Sequence, residues 1–399
     1  GDKAKIISSN DTQNYTFRGR FLTDKEACQI GADATQKAHC ALRWLIKRQG
    51  VSLGDGLSVV TWNAAGDKLP SIVEGSGIFD YGVDFAEESK TQKKEYETAE
   101  EFAYAMNKRL VGYYGDTGNP QNIMILVIKE ATPGQGRASI ALYRELQNTD
   151  VVQALNNWYD RLLWYRSYWR RNKDGAGDYV HSIGTPSPKE IAECAYGERV
   201  KPNQIEKTVQ RLLPCILDGS AIPFDLELQC VQSASKILTV DKLKRDLVLE
   251  TACAVYKYNR NRIKEEYQLA LEENRTSRDY LYGRLLAVAH QEERAALKEM
   301  DQNRETNALR YMQQFALRPA STWKLLYTDK LKPYRRHLKP GLAEWFEQRL
   351  QDISALFTAD DYNSDSPLSG EYLLGYMCQL KAFRKTADDT SNTNNNTEE

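Results

Sequence analysis

From Thr276 to Leu317 the apolar residues repeat with a helical period: Leu281, Leu285 and Val288 stand at i, i+4 and i+7, with Tyr282, Leu286 and Ala289 one residue on. A stripe that wide must be covered from two sides, which predicts the centre of a helical bundle. Thr276, three residues before Asp279, is the expected N-cap, and Gly283 leaves a notch where another helix can approach closely. Upstream, Leu243, Leu247, Ala254 and Tyr258 predict one long helix from Thr239 to about Glu273, a stretch without Gly or Pro. Downstream, Leu342 to Phe357 and Ser369 to Phe383 predict the last two helices. The remainder, TADDTSNTNNNTEE, has no apolar residue after Ala387 and is expected to be disordered.

The first part of the chain carries strand signals instead. Leu57 to Asn63, LSVVTWN, is β-branched and aromatic between turn residues, and Ile123 to Lys129 is a continuous apolar run; both predict strands. Ala138 to Leu142 is the expected hairpin partner of the second, across the glycine-rich turn Thr132 to Gly136. Two helices accompany them. Thr35 to Gly50 places Ala38, Leu42, Leu45 and Ile46 on one face, with Lys37, Arg43, Lys47 and Arg48 elsewhere and Gly50 as the C-cap. Thr98 to Leu110 carries Phe102, Met106 and Leu110 at helical spacing. Further on, Ser187-Pro188-Lys189-Glu190 is a capping box with Pro at N1, Gly197 closes the helix it opens, and Pro214, Pro223 and Asp218-Gly219 punctuate two short helices. The expected architecture is an α+β amino-terminal part followed by an all-α helical bundle. Its divisions are an α+β domain over 1–175, a helical connecting segment over 176–238, the bundle over 239–385 and a tail over 386–399.

Length and composition add bounds. With 399 residues, 41% hydrophobic and 27% charged, the chain is an ordinary globular sequence long enough for two or three domains. Its longest apolar run, Ile123 to Ile128, is six residues, against the roughly 20 needed to span a bilayer. The polar start without an initiator Met suggests a chain beginning inside a longer protein. Seven scattered cysteines without a CxxC fit buried thiols in a reducing cytoplasm. A net charge of −1 hides an uneven distribution: Ser235 to Leu350 holds 23 Lys and Arg against 16 Asp and Glu. The bundle is expected to be basic.

Two stretches carry candidate chemistry. Trp158 to Lys173, WYDRLLWYRSYWRRNK, packs six aromatics, five basic residues (Arg161, Arg166, Arg170, Arg171, Lys173) and one acid into sixteen positions. Aromatics interleaved with Arg suit a single-strand groove. The competing reading is structural, because Leu155, Trp158, Leu162, Tyr165 and Trp169 are spaced as one helical face. The second stretch, Ala320 to Pro340, sets Lys324, Lys330, Lys332, Arg335, Arg336 and Lys339 against Asp329 alone, and is the strongest anion-binding candidate. Pro333 and Pro340 are expected to prevent a continuous helix there, and the competing reading is a solvated loop. An enzyme reading finds little support. The four histidines (His39, His181, His290, His337) lie far apart, and no HExxH, GxSxG or Walker A loop appears. His290 with Glu293, and Asp360 with Asp361, are more simply a surface hydrogen bond and a solvated helix end. No catalytic residue, metal ligand or cofactor is expected.

Six segments in order resemble one family: TQKAHCALRWLIKRQG at 35–50, ATPG at 131–134 with ASIALYREL, RLLPCILDGSAIPFDL at 211–226, RDYLYGRLLAVA at 278–289, TNALRYMQQF at 306–315 and PLSGEYLLGYM at 367–377. They resemble the large subunit of the type I-C CRISPR surveillance complex, Cascade, over roughly residues 17–383. The resemblance implies a non-catalytic subunit that contacts the short motif beside the target and helps open the duplex. It also implies that the subunit holds the displaced strand and docks the helicase-nuclease that cuts. The implied partners are target DNA, the crRNA-containing complex, the other Cascade subunits and the helicase-nuclease, in the cytoplasm and away from membrane. The carboxyl-terminal helices resemble the family's small subunit, made alone in this subtype from an internal start; here that start is Met300 or a non-Met codon. Two departures matter. Family members carry a further segment before the part that Gly1 begins, which holds most motif-reading residues, so none is assigned here. The ATPG turn continues as QGR, leaving Arg137 as a candidate phosphate contact. Readings from other classes are a metal-dependent nuclease and a structural scaffold without DNA contact.

Overall fold

The computed structural model describes residues 18, 21–27, 30–54, 56–75, 96–115, 121–132, 137–171, 177–263 and 265–395, with side chains undescribed at 24, 131–137, 168–180 and 385–395. After a short turn of helix, α1 (Asp24–Ala27), comes α2 (Ala32–Gln49), which stops where the Gly50 amide returns to the Ile46 carbonyl at 2.9 Å. Leu45 and Gln49 are its buried residues, and the Gln49 side-chain amide donates to the Thr61 carbonyl, which pins the helix onto the strand beside it.

That strand is part of an antiparallel meander ordered β1 (Val51–Leu53), β2 (Leu57–Asn63), β3 (Asn122–Thr132), β4 (Arg137–Gln147). β2 and β3 run in register from Leu57 opposite Lys129 to Asn63 opposite Ile123, and a bulge between Val127 and Ile128 shifts the β3–β4 pairing. β2 occupies the positions its β-branched and aromatic run predicts, whereas β4 continues five residues past Leu142. Val59, Ile123, Ile125 and Val127 are fully buried, in one core with Phe102, Met106, Leu110 and Tyr114 of α3 (Ala99–Tyr114) and Leu155, Trp158 and Leu162 of α4 (Asn148–Leu162). Thr98 caps α3 by accepting from the Glu101 amide at 3.1 Å.

The helical face expected from Leu155 to Trp169 is broken in two. α4 stops at Leu162 and β5 (Trp164–Arg171) begins almost at once, pairing with β6 (Gly177–Gly184) from Trp164 opposite Gly184 to Arg171 opposite Gly177. Leu163, at φ −54° and ψ 127°, has left the helical region, and the aromatic-rich run after it favours a pleated strand.

α5 (Pro188–Tyr196) opens on the expected capping box, with Ser187 N donating to Glu190 Oε2 at 2.7 Å and Glu190 N to Ser187 Oγ at 3.2 Å. α6 (Pro202–Asp218) runs through Pro214 to Gly219, whose φ of +64° provides the left-handed cap. The expected break at Pro214 does not occur because the ring removes one hydrogen bond from a long, strongly anchored helix. α7 (Phe224–Ser235) and α8 (Arg245–Arg262) follow. The long helix expected from Thr239 to Glu273 is therefore shorter at both ends: two 3-10 turns precede it, and at its end Ile263 and Glu265 both donate to the Arg260 carbonyl.

α9 (Arg278–Glu299) is the central helix, one residue out from the expected cap: Ser277 is the N-cap, and its hydroxyl bonds Glu371 at 2.5 Å instead of the helix end. Around it lie α10 (Asn307–Leu317), α11 (Pro319–Leu325), α12 (Lys332–Arg335), α13 (Pro340–Ser354), α14 (Ala359–Asn363) and α15 (Glu371–Asn395). α15 keeps a helical backbone to Asn395, through ten residues expected to be disordered. Extending a helix from an anchored start needs no new nucleus. The observed fold is α+β in the amino-terminal part and helical thereafter, with one apolar core running from Leu53 to Cys378. α8 lies in the middle of it. Ala252, Cys253, Ala254 and Val255 are all fully buried, and Tyr258 meets Trp158 of α4 edge to face at 5.1 Å.

Candidate nucleic-acid interface

The basic stretch after α10 is helical almost throughout, not the open loop its prolines suggest. α11 passes into a π turn, Leu326–Leu331, and then into α12, with Pro333 in its first turn. A proline ring clashes with the carbonyl four residues back, here that of Asp329, and the wider π turn makes room for it. Trp323, Leu326 and Leu331 are buried, and Trp323 Nε1 donates to the Tyr362 hydroxyl at 3.0 Å. With that side fixed inward, Lys324, Lys332, Arg336 and Lys339 are exposed, and half-buried Lys330 lies 6.0 Å from the Tyr311 ring centre.

Arg335 behaves differently. Its Nε and Nη2 donate to the two oxygens of Glu292 at 2.6 and 3.0 Å, and its Nη1 donates to Glu347. Glu292 is fully buried; burial pushes its carboxyl up and the Arg335 fork pulls it back down. Tyr327 completes the group by donating to Glu347 at 2.7 Å. Arg335 thus ties α12 to α9 and α13, and its guanidinium is already satisfied by carboxylates. The ladder comprises exposed Lys324, Lys332, Arg336 and Lys339 with half-buried Lys330, and among the described residues no carboxylate pairs with any of them.

The other candidates do not join this ladder. Arg161 reaches the Gly219 carbonyl at 3.4 Å, helping close α6, and Arg166 binds Glu190 at 2.6 Å and Thr251 at 3.0 Å. Both hold the fold together. Arg170 and Arg171 belong to β5 and Arg137 starts β4, with their side chains outside the described set, and Lys173 lies outside the described residues.

His290 and Glu293 are occupied. His290 Nδ1 meets Thr306 Oγ1 at 3.0 Å, and burial pushes the imidazole down to about 4. Glu293 accepts from Asn307 N at 2.6 Å, Asn307 Nδ2 at 2.8 Å and Arg304 at 3.2 Å, so it serves the start of α10. Asp361 exchanges bonds with the N-cap Thr358 of α14. Among the described residues no three His, Cys, Asp or Glu side chains gather as metal ligands.

One cluster has almost no signature in the sequence. Ser167 of β5 donates its amide to Glu250 Oε2 at 2.7 Å and its hydroxyl to Oε1 at 2.5 Å, and the same hydroxyl meets His181 Nδ1 at 2.7 Å. Arg384 of α15 approaches His181 Nε2 at 3.4 Å, and the Lys381 ammonium lies 5.0 Å from the Tyr165 ring centre. Glu250 is fully buried on α8, and burial raises its carboxyl to about 7 against the opposing pull of Arg166, Lys381 and Ser167. The β5–β6 hairpin is thereby fastened to α8 and α15. Its one local signal is a serine inside an aromatic run.

Among the described residues no helix is long and apolar enough to cross a membrane. No curated protein matches the chain significantly. A family model, described as CRISPR-associated protein (Cas_Csd1), matches residues 1–384. That match spans the meander, α8 and the whole basic ladder, and the chain belongs to this CRISPR-associated family.

Proposed function

We propose that the chain is the non-catalytic large subunit of a type I-C crRNA-guided surveillance complex, binding target DNA and the neighbouring Cascade subunits. In this reading it supports duplex opening, holds the displaced strand along the helical region and offers a docking surface to the helicase-nuclease. Guide pairing reads the sequence, and the protein supplies backbone contacts. Family membership and the six ordered resemblances support the assignment. The observation that carries the DNA-binding role is the ladder Lys324, Lys330, Lys332, Arg336 and Lys339, set outward beside a buried wall and without carboxylate partners among the described residues. Phosphates are its natural counter-ions, with Arg170, Arg171, Lys173 and Arg137 as further proposed contacts.

The test is binding of labelled single-stranded DNA across a salt series, because each phosphate contact adds roughly 0.7 to the magnitude of the single-strand salt slope. A steep, sequence-independent slope is expected. A flat slope, or divalent-dependent cleavage abolished by His290→Ala, would contradict the proposal.

A further inference from the structure

α2 carries a second surface that the ladder does not explain. Leu45 and Gln49 face inward, whereas Lys37, Cys40, Trp44, Lys47 and Arg48 line the outward side. Trp44 is 52% exposed on that side. Its surroundings are cationic. The helix holds Lys37, Arg43, Lys47 and Arg48 against one acid, Asp33, and that acid is engaged with Lys37 at 2.9 Å. Arg48 lies over the indole ring at 4.7 Å while donating to the Gly66 carbonyl at 2.6 Å, so one ring face is held by a fixed cation. Burial, and after it the Arg48 charge, push Lys68 below the ordinary lysine value, which places a further cation near Arg48.

These features discriminate between partners. A protein contact built on a tryptophan normally surrounds it with other apolar side chains, and the outward side of α2 has no other large apolar residue. One ring framed by cations instead matches a stacked base between phosphates. We propose that Trp44, with Arg43, Lys47 and Arg48, forms a second single-strand contact, taking one unpaired base on the indole and the flanking phosphates on the cations. This rests on the nucleic-acid reading above but uses a separate surface.

The test measures binding of labelled oligothymidine to the full chain at low and moderate salt, with circular dichroism confirming each variant's fold. Trp44→Ala should weaken binding roughly five- to 150-fold, the range for removing one stacked base, while Trp44→Phe should retain most of it. Arg43→Ala with Lys47→Ala should lower the magnitude of the salt slope by roughly 1.4, or about 0.7 per phosphate. A Lys332→Ala, Arg336→Ala, Lys339→Ala chain is measured alongside. If that variant weakens and Trp44→Ala binds like the parent, the α2 site is overturned and the ladder stands. Loss of partner-subunit binding by Trp44→Ala at unchanged oligothymidine affinity also overturns it, and reassigns the helix to a protein contact. If the parent binds no single strand, both proposals fail together.

Discussion

Gly283 of α9 lies directly against the Tyr372 carbonyl of α15, so close that a Cβ at Gly283 would stand 2.0 Å from that oxygen. The contact is reciprocal, since a Cβ at Gly375 would stand 2.2 Å from the Tyr280 carbonyl. Two helices therefore cross backbone to backbone, and neither glycine can gain a methyl group unless the crossing opens. Gly283→Ala is expected to cost about 3 kcal/mol or more, the upper end of overpacking penalties. Gly341→Ala is the control: nothing lies within 4 Å of its Cβ position in the first turn of α13. That substitution should be neutral or stabilise by about 0.4–1 kcal/mol. Urea midpoints of the two variants check the pair, and equal effects would refute the close crossing.

Arg335 and its exposed neighbours should separate cleanly. Arg335→Ala strands the buried Glu292 carboxylate and is expected to cost about 3–5 kcal/mol, and Arg335→Lys should recover little because it cannot fork across two oxygens. Replacing Glu292 and Arg335 together with apolar residues should restore much of the stability. Lys332→Ala and Arg336→Ala should leave stability within about 0.5 kcal/mol. Thermal unfolding of these variants decides it, and an Arg335→Ala chain as stable as the parent would remove the structural role.

Much of this is legible in local pattern. The β2 boundaries, the Ser187–Glu190 box and the Gly283 notch all follow from residues within one or two turns of each other. What the pattern misses depends on distant partners. Nothing near Arg335 announces Glu292, 43 positions away, so a buried ion pair reads as one more rung of a basic ladder. Trp158 and Trp169 share a helical spacing, yet the chain turns into a strand between them because β6 is there to pair with β5. The exposed lysines are legible because their chemistry is their lack of a local acid.

Stability should depend on pH through Glu250. Burial lifts its folded-state value from 4.5 to about 7, so its contribution is fully present below 4.5 and is lost as pH rises through 7. The whole effect is on the order of 3 kcal/mol. His290 acts in the opposite sense, because its folded value falls from 6.5 to about 4 and its contribution is lost as pH falls through that window. The two partly cancel in the parent chain. The difference between Glu250→Gln and the parent isolates Glu250: it should move in favour of Gln as pH rises from 4.5 and level off above 7. Urea unfolding free energies from pH 4.5 to 8 measure it, and a pH-independent difference would contradict the assignment.

We propose that residues 239–385 separate as the unit resembling the small subunit, with 1–175 and 176–238 as the other divisions. The seam mixes apolar and polar contacts, since Tyr258 packs on Trp158, Lys257 donates to the Leu163 carbonyl at 3.1 Å and Ser167 donates to Glu250. A fragment beginning at Val240 should therefore be helical but melt at lower temperature than the full chain. An unfolded fragment by circular dichroism would contradict the division.

The DNA-binding role is tested most directly by a salt titration of single-stranded DNA binding to the full chain and to its Lys332→Ala, Arg336→Ala, Lys339→Ala variant. The variant should fold like the parent, bind more weakly, and show a log–log salt slope smaller in magnitude by roughly 2, or about 0.7 for each phosphate left without its cation. A folded variant with the parent's affinity and slope would contradict the account.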